Sequence, residues 1–210
     1  GADGWTARGV LASKVYATGE NPAVVLNGSC DYTQRILQPM GVVSKGAAEM
    51  TVVADMRPPR VWAKDEGTAM LELGDDAYWQ GNLSSARSYL SAPRIAFGFR
   101  EPGNKSQAKK MYGYTNCCFA VTSADGTTLS SALPYRDGAR NWYRFKAALN
   151  PLAGTFAVAV YDQGAAQPTA ASADGELVAT FADQPLPALT GKGFSTLGLY
   201  GSLIAGSLGF

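Results

Sequence analysis

At 210 residues, 46% of them hydrophobic and 17% charged, the chain has enough apolar surface for one sizeable core and lacks the compositional signature of disorder. The 18 basic and 17 acidic residues leave a formal net charge of +1. No segment gathers the bases into a stripe that would release counterions from a phosphate backbone, which argues against a nucleic-acid partner; no apolar run approaches the ~20 residues of a membrane-spanning helix, which argues against membrane insertion.

Turn residues recur at short intervals, and between them the apolar residues alternate more often than they follow a helical period. In chain order, strands are expected at "AVVLNG" (23–28), "YTQRILQ" (32–38), "AEMTVVADMR" (48–57), "TAMLELG" (68–74) and "RIAFGFR" (94–100). They continue with "GYTNCCFAVTS" (113–123), "WYRFKAAL" (142–149), "TFAVAVYD" (155–162), "GELVATFA" (175–182) and "FSTLGLYG" (194–201). The segments "RPPR", "GDDAYWQGN", "REPGNKSQ", "SADGTT", "RDGAR", "NPLAG" and "DQGAAQPTAASADG" supply the Gly, Pro, Asn and Asp that turns require. One helix is expected at 81–92, where Leu83, Ala86 and Leu90 lie three to four residues apart, with a loop as its alternative. So many short strands cannot bury their apolar faces in one flat sheet, so the reading is an all-β, antiparallel β-sandwich of about 10 to 12 strands with at most one or two short helices, in one domain spanning 1–210.

Side chains alternate along a strand. In "WYRFKAAL" this puts Tyr143, Phe145, Ala147 and Leu149 on a core face and Trp142, Arg144, Lys146 and Ala148 on the other. "TFAVAVYD" is apolar on both faces, with Phe156, Val158 and Val160 inward, and is expected to be a central strand. The same rule turns Cys117 and Cys118 to opposite faces; three states stay open, namely a bridge from Cys30 to one of them, all three reduced, or a vicinal disulfide. The cluster Lys105, Lys109 and Lys110 reads as a solvated loop.

The order "NWYRFKAALNPLAGTFAVAVYDQG", "GELVATFADQPLP", "FSTLGLYGSLIAGSLGF" resembles the closing half of the concanavalin A-like lectin/glucanase (laminin G-like) jelly rolls, and "GENPAVVLNG" resembles their N-terminal strand. The resemblance implies two curved antiparallel sheets, a carbohydrate site on the concave face or edge loops, and an exported protein in the extracellular space, periplasm or cell surface. The opening "GADGWTARG" agrees with a processed chain, whether a signal peptide was removed or a longer product was cut. The family contains lectins, hydrolases, lyases and adhesive modules, so the residues must choose among them.

Histidine is absent, which removes Ser-His-Asp and Cys-His nucleophilic systems, histidine-bearing zinc centres and the His/Tyr lyases of this fold. Glycoside hydrolysis needs two carboxylates, and "MLELGDDAYWQGN" offers Glu72 and Asp76, with Gly74 where laminarinase-type members carry a middle carboxylate. The same loop suggests carbohydrate binding instead. Asp75, Tyr78, Trp79, Gln80 and Asn82 combine an aromatic surface with amides and a carboxylate, and Tyr112, Tyr114 and Asn116 share a face in "MYGYTN".

Calcium is common in the superfamily, and "GDDAYWQGN" and the two "SADG" segments (123–126 and 172–175) would be its acidic loops, although ordinary Asp-Gly turns account for both "SADG" copies. Glycosylation sequons begin at Asn27, Asn82 and Asn104. The expectation is therefore a non-catalytic glycan-binding module without a required cofactor. Its alternatives are a structural or protein-interaction domain, or a hydrolase using Glu72 and Asp76. The 141–164 hairpin reads as scaffold, carrying the resemblance but no chemistry.

Overall fold

The apolar alternation does produce strands. The computed structural model describes residues 6–8, 14–16, 23–44, 49–60, 68–75, 94–100, 117–132, 141–189 and 193–209, with the backbone alone for 6–8, 14–16, 23–44, 59–60, 131–132 and 200–209. Among these residues there is no helix, and the strands are β1 (Thr6–Arg8), β2 (Lys14–Tyr16), β3 (Ala23–Ser44), β4 (Met50–Arg60), β5 (Thr68–Gly74) and β6 (Arg94–Arg100). The remainder are β7 (Cys118–Ser123), β8 (Gly126–Ala132), β9 (Trp142–Asn150), β10 (Thr155–Gly164), β11 (Glu176–Pro185) and β12 (Gly193–Gly209). The helix expected at 81–92 lies outside the described residues.

The strands form two antiparallel sheets. One runs β11-β10-β9-β4; the other runs β8-β7-β6-β5-β12-β3, with β1 and β2 also paired to β3. The sheets meet where β12 leaves β5 and its last residues pair with the end of β4, Arg57 with Gly209 and Arg60 with Ser207. That junction corrects one expectation: "RPPR" is not a turn but the end of β4. Past Met56 the strand has no further partner on β9, and the register shift opposite β12 accommodates Pro58 and Pro59, which lack the N–H that an unbroken ladder would use.

A second correction concerns 23–44, expected as two strands and found as one. The polar break "NGSCD" lies within a long ladder to β12, and a shift between the pairs Leu203↔Tyr32 and Ala205↔Ser29 takes up the extra residue. Cross-strand pairing over this length outweighs the local turn preference.

The core lies between the two sheets. β5, β6, β7 and β12 contribute Leu71, Leu73, Ile95, Phe97, Phe99, Phe119, Val121 and Phe194; β4, β9, β10 and β11 contribute Met56, Tyr143, Phe145, Leu149, Phe156, Val158, Val160 and Phe181. Aromatic contacts tie the layers together, with Phe99 edge-on to Tyr143 at 5.7 Å and to Phe145 at 5.3 Å, and Phe97 stacked on Phe145 at 6.1 Å. Each buried phenyl contributes roughly 1.5–3 kcal/mol by leaving water. The core row predicted for β9 is buried as expected, and β10 lies between β9 and β11 with its predicted inward residues buried. Cys117 belongs to this core, while Cys118 is buried outside it.

With the inward faces filled, the outward face of the β11-β10-β9-β4 sheet is left to carry polar residues.

Candidate functional site

On that outward face, register sets charge against charge. Asp55 of β4 is directly opposite Arg144 of β9, and Val53 is opposite Lys146. On the other side of β9, Tyr161 of β10 is opposite Arg144, and the Lys146 ammonium lies 5.7 Å from the Tyr161 ring centroid. The face would be open to water but for the loop from β10 to β11, which folds back over it.

Several short-range contacts shape that loop. The Asn141 amide donates to both oxygens of Asp162, at 2.7 and 2.8 Å, and Asp162 Oδ1 accepts from Gly164 N, at 2.8 Å. Gly164 has φ 76°, a conformation that favours glycine and turns the chain out of β10. Further on, Ser172 N donates to Thr169 O at 3.0 Å and Thr169 N donates to Ser172 Oγ at 2.9 Å, closing a small turn. With its amide nitrogen turned toward the loop, Gln163 donates to Ala173 O at 3.0 Å and accepts from Gly175 N at 2.8 Å.

Arg144 fastens the loop to the sheet. Its guanidinium is buried and donates from Nε to Asp55 Oδ1 at 2.8 Å, from Nη2 to Asp55 Oδ2 at 3.0 Å and to Thr169 O at 2.8 Å, and from Nη1 to Ser172 O. Nη1 is also 3.6 Å from Asp174 Oδ1. The hydrogen bonds to Asp55 raise the Arg144 pKa against the cost of burial. Lys146 donates to Asp174 Oδ2, and this hydrogen bond is the largest cause holding the Asp174 carboxyl below its usual range.

Between sheet and loop lies a groove of about 570 Å³. Its lining includes Val53, Asp55, Trp142, Arg144, Lys146, Ser172 and Asp174. Trp142 is 6% exposed, so little of its surface reaches the groove, and the Arg57 guanidinium lies 5.2 Å from its ring centroid. Burial pushes the Arg57 pKa down.

Of the acidic loops considered for calcium, residues 76–82 of "GDDAYWQGN" lie outside the described residues. Among the described residues no three His, Cys, Asp or Glu side chains converge, and Asp174 of the second "SADG" faces two cations. The first "SADG" is the β7–β8 turn, with Gly126 at φ 112°.

No protein-family profile matches the sequence, and no curated protein does. Solved structures match over essentially its whole length. The seed lectin of Lotus tetragonolobus superposes with a TM-score of 0.58 at 10% identity, covering 100% of this chain and 90% of the lectin. Peanut lectin, solved with a nine-residue peptide, gives 0.58 at 13% identity over 100% and 88%, and lectin II from Ulex europaeus gives 0.57 at 12% identity over 99% and 89%. The chain has the concanavalin A-like lectin fold.

On this concanavalin A-like scaffold, the residues singled out from sequence lie away from the groove or outside the described residues. Glu72 shares β5 with Met70 and Gly74 on the face turned from the core; it is buried, and its Oε1 accepts from Arg94 Nε at 3.1 Å. It therefore lies on the other sheet from Asp55 and Arg144. Asp75 has no exposed surface. Asp76, Tyr78, Trp79, Gln80, Asn82, Tyr112, Tyr114 and Asn116 are outside the described residues, as are the side chains of Asn27 and Cys30.

The groove instead uses the hairpin read as scaffold and the "SADG" read as an ordinary turn. A signal was present: Arg144 and Lys146 form an outward charged row on an otherwise apolar strand, and Asp55 occupies the matching outward position on β4.

Proposed function

We propose that the chain is an exported, non-catalytic carbohydrate-binding module whose glycan lies in the groove between the outward face of β4 and β9 and the 165–175 loop. The observation that carries this reading is the preorganised polar wall: two carboxylates held in place by cations, in a groove whose volume falls within the roughly 300–1,000 Å³ range of small-molecule sites. Carboxylates so held accept hydrogen bonds from sugar hydroxyls without further ordering, which lowers the entropic cost of binding. Fold likeness supports the same reading, since the Ulex lectin UEA-II, complexed with galactose, superposes at a TM-score of 0.55 and 12% identity.

The non-catalytic part rests on the carboxylates themselves. Glycoside hydrolysis needs a protonated acid beside a base or nucleophile. In the groove, Lys146 holds Asp174 below the usual range, and both oxygens of Asp55 accept from Arg144. Export is part of this proposal because the resemblance to concanavalin A-like jelly rolls implies it.

The test is a glycan array followed by titration of the strongest neutral hit against the wild type and Val53→Trp. Val53 is 50% exposed at the groove, so an indole there fills it without disturbing the core. Binding should weaken by about tenfold or more. Equal affinity in the variant would remove the groove from consideration, and an array with no hits would remove the lectin reading.

A further inference from the structure

Resting on the glycan-binding reading, we infer that the groove accepts neutral, hydroxyl-rich glycans and rejects acidic ones, because its buried arginine is already saturated and its remaining capacity is chiefly that of an acceptor. An arginine and a lysine in a sugar groove would ordinarily suggest a uronate, sialic acid or sulfate ligand. The geometry here gives them a different role.

A guanidinium has five N–H donors. Four hydrogen bonds from Arg144 already go to Asp55 Oδ1, Asp55 Oδ2, Thr169 O and Ser172 O, and Nη1 also faces Asp174 Oδ1 at 3.6 Å. A ligand anion would have to displace the backbone carbonyls that hold the wall, or the carboxylate that pairs with the arginine in the fork geometry. Arg144 therefore builds the site without contacting what enters it.

Lys146 has three donors and gives one to Asp174. Against its two remaining donors stand the second lone pairs of both Asp55 oxygens and the unshared ones of Asp174. The charged residues lining the groove balance, two carboxylates against two cations, so the lining itself presents no excess positive charge to an anion, and the Arg57 guanidinium lies over the Trp142 ring at 5.2 Å from its centroid. A sugar hydroxyl donates to one carboxylate and accepts from Lys146; a carboxylate or sulfate only accepts, and meets Asp55 and Asp174 at close range.

The test compares wild type and Asp174→Asn on an array that places glucan-, xylan- and galactomannan-derived oligosaccharides beside polygalacturonate fragments, sialyllactose and heparin fragments. The substitution keeps the shape of the side chain and an acceptor oxygen for Lys146, but removes the negative charge that neutralises it. Wild type should bind neutral members and bind acidic ones about tenfold more weakly or not at all, while Asp174→Asn should gain acidic members in a salt-sensitive way.

Wild-type binding to acidic glycans as strong as to neutral ones, lost in Val53→Trp, would overturn this inference and leave the groove as a glycan site. No gain by Asp174→Asn, with its circular dichroism and melting unchanged, would overturn the role given to the charge balance. An array without hits for either protein would overturn the glycan reading and this inference with it.

Discussion

Replacing Arg144 with Met keeps a long apolar stem but removes four donated hydrogen bonds and the ion pair to Asp55. Removing one partner of a fully buried pair costs about 3–5 kcal/mol because the other charge is stranded. The Asp55 side chain is 23% exposed, however, and Thr169 and Ser172 lie on a surface loop, so water can reach the orphaned acceptors and the expected cost falls to about 2 kcal/mol. At roughly 2–4 °C per kcal/mol for a chain of this size, melting should fall by about 4–8 °C.

Because the lost contacts join the 165–175 loop to the sheet, most of that cost should appear as local opening. About 2 kcal/mol corresponds to roughly thirtyfold faster amide exchange where opening governs exchange. Hydrogen–deuterium exchange by mass spectrometry should therefore show the increase in peptides covering 165–175, and little in peptides from β6 and β10. Arg144→Lys retains one charge toward Asp55 and should fall between the two. Melting within 1 °C of wild type together with unchanged exchange in the loop would refute the claim that the guanidinium holds the groove wall.

Gly175→Ala should detach the same wall by steric means, since a Cβ there would sit 1.8 Å from Asp162 O; loop exchange should rise, glycan binding should fall, and melting should drop by an amount comparable to that of Arg144→Met. Phe99→Ala removes the ring that meets Phe119, Tyr143 and Phe145 and should cost about 3–5 kcal/mol, read as a melting decrease of about 10 °C. The Asp174 carboxyl has a folded pKa below its ordinary value of 3.8, so its contribution is present above that value and lost as pH falls through the lower folded one. Loop exchange, corrected for its intrinsic pH dependence, should stay flat from neutral pH to about 4.5 and rise only below about 3.8; a rise centred near pH 6 would show that another group controls the loop.

What the sequence determined by itself is the local order: strands at β5 and β6 with the bounds expected, the inward rows of β9 and β10, and the resemblance to concanavalin A-like jelly rolls. These depend on period-2 alternation and turn chemistry, which a few neighbouring residues contain in full. The corrections at "RPPR" and 23–44 arose where pairing with distant β12 outweighed local turn residues; β12 itself, expected over 194–201, runs to Gly209 along that ladder, and residues 126–128 of the expected turn "SADGTT" open β8.

The groove was decided by the tertiary structure. Asp55 and Arg144 stand 89 positions apart, and Lys146 and Asp174 stand 28 apart. Read singly, Arg144 is an outward charge on a strand, ordinarily a solvated one; it is buried because a loop made of turn residues folds over it and offers two carbonyls and a carboxylate. Glu72 reads as a free carboxylate until β6 brings Arg94 to within 3.1 Å. Whether a charge serves solvent, scaffold or ligand depends on which acceptors the fold places around it, and a one-dimensional pattern does not contain those distances.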